Sequence, residues 1–230
     1  MPQPLVTVVL PVRNGAAYLR QALDSVMAQR YDPLEIIVVD GHSDDASAAI
    51  AASYPAVTVV SQEGLGLAAA WNQAVTRASG ELIAFLSHDD RWRPGKLARQ
   101  VSYLSQHPET ALVHTWFRFV LQPGHSRPPG FRPELLADVQ KGRLMETLMA
   151  RREAFVETGL FENKYAVAPD MDWFARTNDR GLGSAILPEV FLDKGVHAAN
   201  TMNNIPVNNA NLLSLLRASV SRKRGDEVTP

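Results

Sequence analysis

At 230 residues the chain is about one and a half times a typical domain, so one domain with a small appendage is expected. A hydrophobic share of 46% and a charged share of 20% exclude disorder as the overall state, and 23 basic against 24 acidic residues exclude charge-driven nucleic-acid binding. Zero cysteines exclude a disulfide framework, a Cys-zinc site and a thiol nucleophile. The longest apolar runs, such as 5–12, reach about eight residues, far short of the roughly 20 that span a bilayer. Met1-Pro2-Gln3-Pro4 lacks the positive region of a signal peptide, so a soluble, cytoplasmic protein is expected.

Strand and helix patterns alternate from the start. Residues 5–12 (LVTVVLPV) form a β-branched apolar run ended by Pro11 and Asn14-Gly15, a strand and a turn. Residues 16–29 carry apolar side chains at helical spacing. Further strands are predicted at 34–39, 57–61 and 81–86, with helices at 46–53 and from Gly66 to Ala78. Four β-α units in about 90 residues predict an α/β fold with a parallel sheet covered by helices on both faces. In the second half, helices are predicted at 96–105, 151–158 and 170–180, and strands at 111–121 and 184–192. Residues 122–133 hold four prolines and two glycines and read as a mobile loop. A last amphipathic helix is predicted at 212–220, before a frayed, charged tail.

Ligands of parallel sheets bind at the carboxyl ends of the strands, and there the polar clusters fall: Arg13-Asn14, 40–45 and 87–90. Asp89 and Asp90 suit a hard cation such as Mn²⁺ or Mg²⁺, or simply cap the helix that follows. Asp40 beside Gly41 can accept hydrogen bonds from a base or ribose, or close an Asx-turn. Asp170 suits a general base, or a carboxylate favoured by a helix amino terminus. His197, alone after a strand, is either a packed residue or a ligand. Residues 64–69 fit the loose G-x-G-x-x-A pattern, but after the third strand and without an acidic residue about 20 positions on, so they read as a decoy.

Together these segments resemble the family 2 glycosyltransferases, which have the GT-A fold. The resemblance runs from about Val6 to Asn200. It is carried by VTVVLPVRN at 6–14, IIVVDGHSDD at 36–45, the block from Gly66 through Trp71-Asn72 to Ser87-His88-Asp89-Asp90, the stretch 148–162, and Pro169-Asp170-Met171-Asp172. It implies one GT-A domain over 1–205, with a nucleotide-sugar half at 1–92 and an acceptor half at 93–205, then a helix and tail at 206–230. It implies an inverting transfer from a nucleoside diphosphate sugar, with a UDP-sugar the expected donor, to a glycan, lipid-linked or small-molecule hydroxyl acceptor.

The implied donor site comprises Pro11, Val12, Arg13, Asn14, Asp40, Asn72, His88 and Asp89. Asp89 and His197 are the implied metal ligands and Asp170 the implied base, while Asp172 is expected to cap its helix. Departures from the family pattern are Ser87 in place of the first acidic residue of the metal motif, Trp71 before the matched asparagine, and Asp40-Gly41 for a frequent Asp-Asp. Together they resemble a subgroup pattern within active enzymes, while Ser87 and Trp71 keep open a non-catalytic nucleotide-sugar or glycan-binding relative. A nucleotidyltransferase is disfavoured because no Gly-rich basic loop follows the first strand, and a dinucleotide oxidoreductase rests only on the decoy. The basic run Arg222-Lys223-Arg224 is either a solvated tail or a peripheral contact with an anionic membrane.

Overall fold

Strand β1 (Val6–Val12) sends Val6, Val8, Leu10 and Val12 into one hydrophobic core and Val9 into another. Such period-two alternation between two apolar sides belongs to a strand covered on both faces. The computed structural model describes residues 3–164 and 169–197, so the expected helix at 212–220 and the basic tail lie outside the described residues. Strands β2 (Leu34–Asp40), β3 (Val57–Ser61) and β4 (Leu82–Phe85) join β1 in parallel, in the order β3-β2-β1-β4. The intervening helices are α1 (Ala16–Met27), α2 (Ser47–Ala52) and α3 (Gly66–Arg77).

The sheet then continues through the second half, where two short strands, a short helix and a 3-10 turn join the predicted elements. Strand β5 (Arg91–Trp92), helix α4 (Lys96–Gln106), strand β6 (Thr110–Leu121), helix α5 (Glu134–Ala137), a 3-10 turn (Met145–Thr147) and strand β7 (Met149–Arg151) come next. They are followed by α6 (Arg152–Thr158), α7 (Pro169–Asp179) and β8 (Gly183–Val196). The full order is β3-β2-β1-β4-β7-β6-β8-β5, with β5 and β7 antiparallel to their neighbours and β6 parallel to β8. Strand β8 runs past the predicted end at Leu192 because β6 pairs with it as far as Val196. Its pairing skips Pro188, which has no N–H to give the ladder.

One core packs α1 and α4 on the sheet through Leu19, Leu23, Val26, Leu97 and Leu104. The other packs α3, α6 and α7 through Trp71, Ala74, Phe155 and Trp173. Trp173 fixes α7: its ring stacks on Phe155 at 4.6 Å and its Nε1 donates to Gly159 O at 3.0 Å. Burial of each such side chain is worth about 1.5–3 kcal/mol. Arg176 adds hydrogen bonds to Thr158 O and Leu160 O, both 2.8 Å, and an ion pair to the buried Asp172 at 2.7 Å. Asp172 therefore works as the partner of Arg176 as well as a first-turn acid. Among the described residues no helix is long and apolar enough to cross a membrane.

Candidate active site

The β1–α1 and β2–α2 loops build one wall of a cleft at the carboxyl ends of the strands. Asn14 takes a left-handed conformation (φ 51°), which asparagine tolerates better than most residues. Its N–H donates to Ser43 Oγ at 2.9 Å, and its Oδ1 accepts from Asp44 N at 2.8 Å. Ser47 Oγ and Asp45 Oδ2 accept from the N–H groups of Gly15 and Ala16, each at 2.9 Å, so the second loop caps the start of α1. Asp40 ends β2 opposite Val12 and accepts from Ser43 N at 3.1 Å, while its buried Oδ1 has no hydrogen-bond partner among the described residues.

Opposite this wall stand Asp89 and His197, with His197 Nε2 2.9 Å from Asp89 Oδ2. Gly195 brings the β8 end close enough that a Cβ there would collide with the Asp89 carbonyl and the Gln122 amide. Gln122 Nε2 donates to Asp89 O at 2.7 Å. Burial opposes charge on Asp89, but the His197 hydrogen bond and the charges of Lys194 and His88 outweigh it and hold the carboxyl at about 2. His88 packs against Gly15, where a Cβ would strike its ring, and burial lowers its pKa despite Asp89. Tyr18 stacks on His197 at 5.0 Å and bonds His125 through its hydroxyl at 2.7 Å. The segment expected to be a mobile loop is thus anchored by Gln122, by His125, and by Phe131 on Phe119 at 5.3 Å.

The floor is a charged network. Lys194 Nζ donates to Asp90 Oδ2 at 2.7 Å and to Glu146 Oε1 at 3.2 Å, and Ser87 Oγ donates to the same Glu146 oxygen at 2.6 Å. Asp90 also accepts from Gly195 N at 2.8 Å. Burial pushes the Lys194 pKa down, but Asp90, Glu146 and Asp89 more than reverse this and keep the ammonium charged. Beside them Asp170 opens α7, one residue after Pro169 at the first helical position. Burial, reinforced by the Glu146 charge, raises the Asp170 carboxyl to about 6.

A cavity of about 780 Å³ lies among these groups. Pro11, Val12, Arg13, Asn14, His88, Asp89, Asp170 and His197 all line it. Asp40 and Asn72 are not on its lining, although Gly41 and His42 are. The Asn72 amide instead brackets the Phe161 backbone, donating to its O at 2.8 Å and accepting from its N–H at 2.9 Å. Tyr18, His125, Glu146 and Lys194 line the cavity without having been singled out by sequence. For Lys194 the only signal was its place three residues before His197. Asp89 and His197 suit a divalent cation by donor type. Among the described residues no cluster of three or more histidines, cysteines or acids that could hold a metal ion is present.

The family description "Glycosyl transferase family 2" matches residues 7–159. An uncharacterized glycosyltransferase of Rickettsia typhi is 31% identical over 214 residues, 87% of this chain and 66% of its own length. An uncharacterized protein of Mycobacterium tuberculosis is 30% identical over 198 residues, 80% of this chain and 57% of its own. This chain therefore spans less than two thirds of the length of these relatives. Among solved structures, S. aureus TarS 1–349 in complex with UDP-GlcNAc superposes with a TM-score of 0.74 at 16% identity, covering 97% of this chain and 68% of TarS 1–349. The Pyrobaculum calidifontis mannosyltransferase PcManGT, in complex with GDP-Man and Mn²⁺, gives 0.72 at 23% identity over 100% of this chain and 67% of its own. The shared architecture is the GT-A fold.

Proposed function

The chain belongs to glycosyl transferase family 2, and we propose that it moves a sugar from a nucleoside diphosphate to a hydroxyl acceptor with inversion at the anomeric carbon. The observation that carries this reading is the convergence of the Asp89–His197 pair and Asp170 on one cavity, at the strand ends where such sheets bind ligands. The Pro11, Val12, Arg13 and Asn14 loop holds the nucleoside, and Asp40, although off the cavity lining, keeps a buried Oδ1 without a hydrogen-bond partner among the described residues, an acceptor suited to a base or ribose donor. His88 and Asn72 complete the donor site, Asn72 by fixing α3 to Phe161.

Asp89 and His197 would hold Mn²⁺ or Mg²⁺. When bound, the cation supplies positive charge against the diphosphate oxygens. Asp170 takes the proton from the acceptor hydroxyl as that oxygen bonds to C1. The C1–O bond to the diphosphate breaks, and its electron pair leaves with the diphosphate. A carboxyl near 6 is mostly ionised at neutral pH yet more basic than an ordinary aspartate, which suits this task.

A UDP-sugar is the proposed donor, in line with the UDP-GlcNAc of the TarS complex; GDP-Man in PcManGT makes guanosine the first other base to try. The acceptor class is a glycan, lipid-linked or small hydroxyl compound in polysaccharide synthesis, with the protein in the cytoplasm or peripheral at the inner membrane face. The test is a thermal-shift panel of nucleoside diphosphates and their sugars with and without Mn²⁺, followed by a turnover assay. A ligand at 100 times its Kd adds about 2.7 kcal/mol. A metal-dependent shift with turnover supports the reading. Binding without any hydrolysis or transfer points to a binding-only relative, and no shift from folded protein refutes the donor site.

A further inference from the structure

The cavity floor between the Asp89–His197 pair and Asp170 holds a carboxylate that none of the roles above uses. Glu146 is presented by the 3-10 turn ahead of β7, is only 9% exposed, and lines the cavity. Its Oε1 is saturated by Ser87 and Lys194. Its Oε2 makes no hydrogen bond among the described residues and is not sealed from solvent. Lys194 likewise commits two of its three N–H groups, to Asp90 and Glu146, and also lines the cavity. A nine-tenths buried carboxylate with one open oxygen, next to an ammonium with one open donor, is a pair awaiting hydroxyl groups. One hydroxyl donates to the carboxylate and its neighbour accepts from the ammonium.

Placement says which ligand part would meet them. Ser87 and Lys194 stand two and three residues before Asp89 and His197, the pair assigned to the diphosphate, while Asp170 lies close enough to feel the Glu146 charge. A group lying between diphosphate and base is the transferred sugar itself. We propose that Glu146 and Lys194 read a vicinal diol on the donor sugar, so that the donor is a neutral hexose with free hydroxyls on that edge. Charge argues the same way. Glu146 and Asp170, both on the cavity lining, disfavour a uronic carboxylate, since the ammonium of Lys194 is already paired with Asp90 and Glu146. An N-acetyl methyl set against the Glu146–Lys194 pair would strip water from charges without replacing its hydrogen bonds. This inference rests on the donor reading above.

The experiment is titration calorimetry in Mn²⁺ with UDP, UDP-glucose, UDP-N-acetylglucosamine and UDP-glucuronic acid, and with GDP and GDP-mannose. The neutral hexose donor should bind more tightly than its bare diphosphate and than the other two sugars. Glu146→Gln should cut that hexose advantage by about 10- to 100-fold, with the affinity for bare diphosphate as the internal reference for an intact site. Glu146→Asp, which keeps the charge but withdraws it by one methylene, should lose the advantage too and serves if Glu146→Gln does not fold. A hexose preference untouched by both variants overturns the proposal, as does tighter binding of the N-acetyl or uronic donor. Binding of diphosphates with no sugar preference overturns this inference alone. No metal-dependent diphosphate binding at all overturns the donor reading with it.

Discussion

Ser87 Oγ donates a 2.6 Å hydrogen bond to Glu146 Oε1, joining residues 59 positions apart across the cavity floor. The resemblance to the family pattern leads one to expect an acid at position 87, and Glu146 explains why serine stands there. The floor already has a carboxylate at this point, and Lys194, the ammonium bonded to it, is shared with Asp90. Ser87→Asp would set two carboxylates in contact. The expected cost is about 1–3 kcal/mol, or roughly 2–4 °C of melting temperature per kcal/mol for a chain of this size. Adding Glu146→Gln should return part of the loss, since contacting residues are energetically coupled. Calorimetry of the two variants at pH 7 checks this; a Ser87→Asp melt equal to wild type means the contact is absent.

Asp170 should impose an acid limb on turnover. Its carboxyl is raised to about 6 by burial first and by Glu146 second, and only the ionised form accepts a proton. Turnover should therefore rise with pH, reach half its plateau near pH 6, and flatten above. Asp170→Asn should lower it by roughly 10² to 10⁴ with diphosphate affinity nearly intact. Stability should move the other way. A carboxyl whose folded pKa exceeds its unfolded value contributes stability at low pH that is lost as pH rises through about 6. Above pH 6 the wild type bears the cost of a charged, buried Asp170, and the Asn variant should melt higher. A less active variant that also melts lower at pH 8 would sink this account.

How much of this was legible follows from the range of the forces involved. The β-α alternation of the first 90 residues is local: period-two and helical spacing inside each segment place the ends of β1 to β4 and α1 to α3 within two residues. The strand-end clusters at Arg13-Asn14 and 87–90, with Asp170 and His197, could be named for the same reason. Strands β5 and β7, of 2 and 3 residues, have no pattern of their own and exist because β8, β4 and β6 pair with them. Lys194 lies two residues past the strand predicted at 184–192. It is buried because Asp90 and Glu146, 104 and 48 positions away, neutralise it. No window along the chain contains that fact.

Asn72 stands as a test of what a motif asparagine does. Both ends of its amide are occupied by the backbone of Phe161, 89 positions away. Asn72→Ala would leave a partly buried N–H and C=O unsatisfied, at about 1–3 kcal/mol each at most. The expected outcome in urea is a lower midpoint with an unchanged slope. Diphosphate affinity, measured where both proteins are folded, should change less than tenfold. A larger loss of affinity with an unchanged midpoint would place the amide on the nucleotide instead.

Asp89 is where metal and nucleotide binding should prove to be one event. Its side chain meets His197 at 2.9 Å, and its backbone carbonyl is held by Gln122 at 2.7 Å, so Asp89→Ala removes the carboxylate but keeps the main-chain anchor. The variant should fold. It should also lose the part of the diphosphate-induced melting shift that depends on Mn²⁺, leaving only the metal-free part. His197→Ala should reduce the same increment by less, because a hard cation draws more from a carboxylate than from one imidazole. The carboxyl sits at about 2, so protons do not compete with the metal for Asp89 anywhere above about pH 4. Mn²⁺ affinity should therefore not fall between pH 5 and 7 through protonation of Asp89 in the wild type. Titrating Mn²⁺ into the diphosphate complex at pH 5, 6 and 7 for wild type and both variants decides the matter. An Mn²⁺-dependent shift that survives Asp89→Ala would remove Asp89 from the metal site.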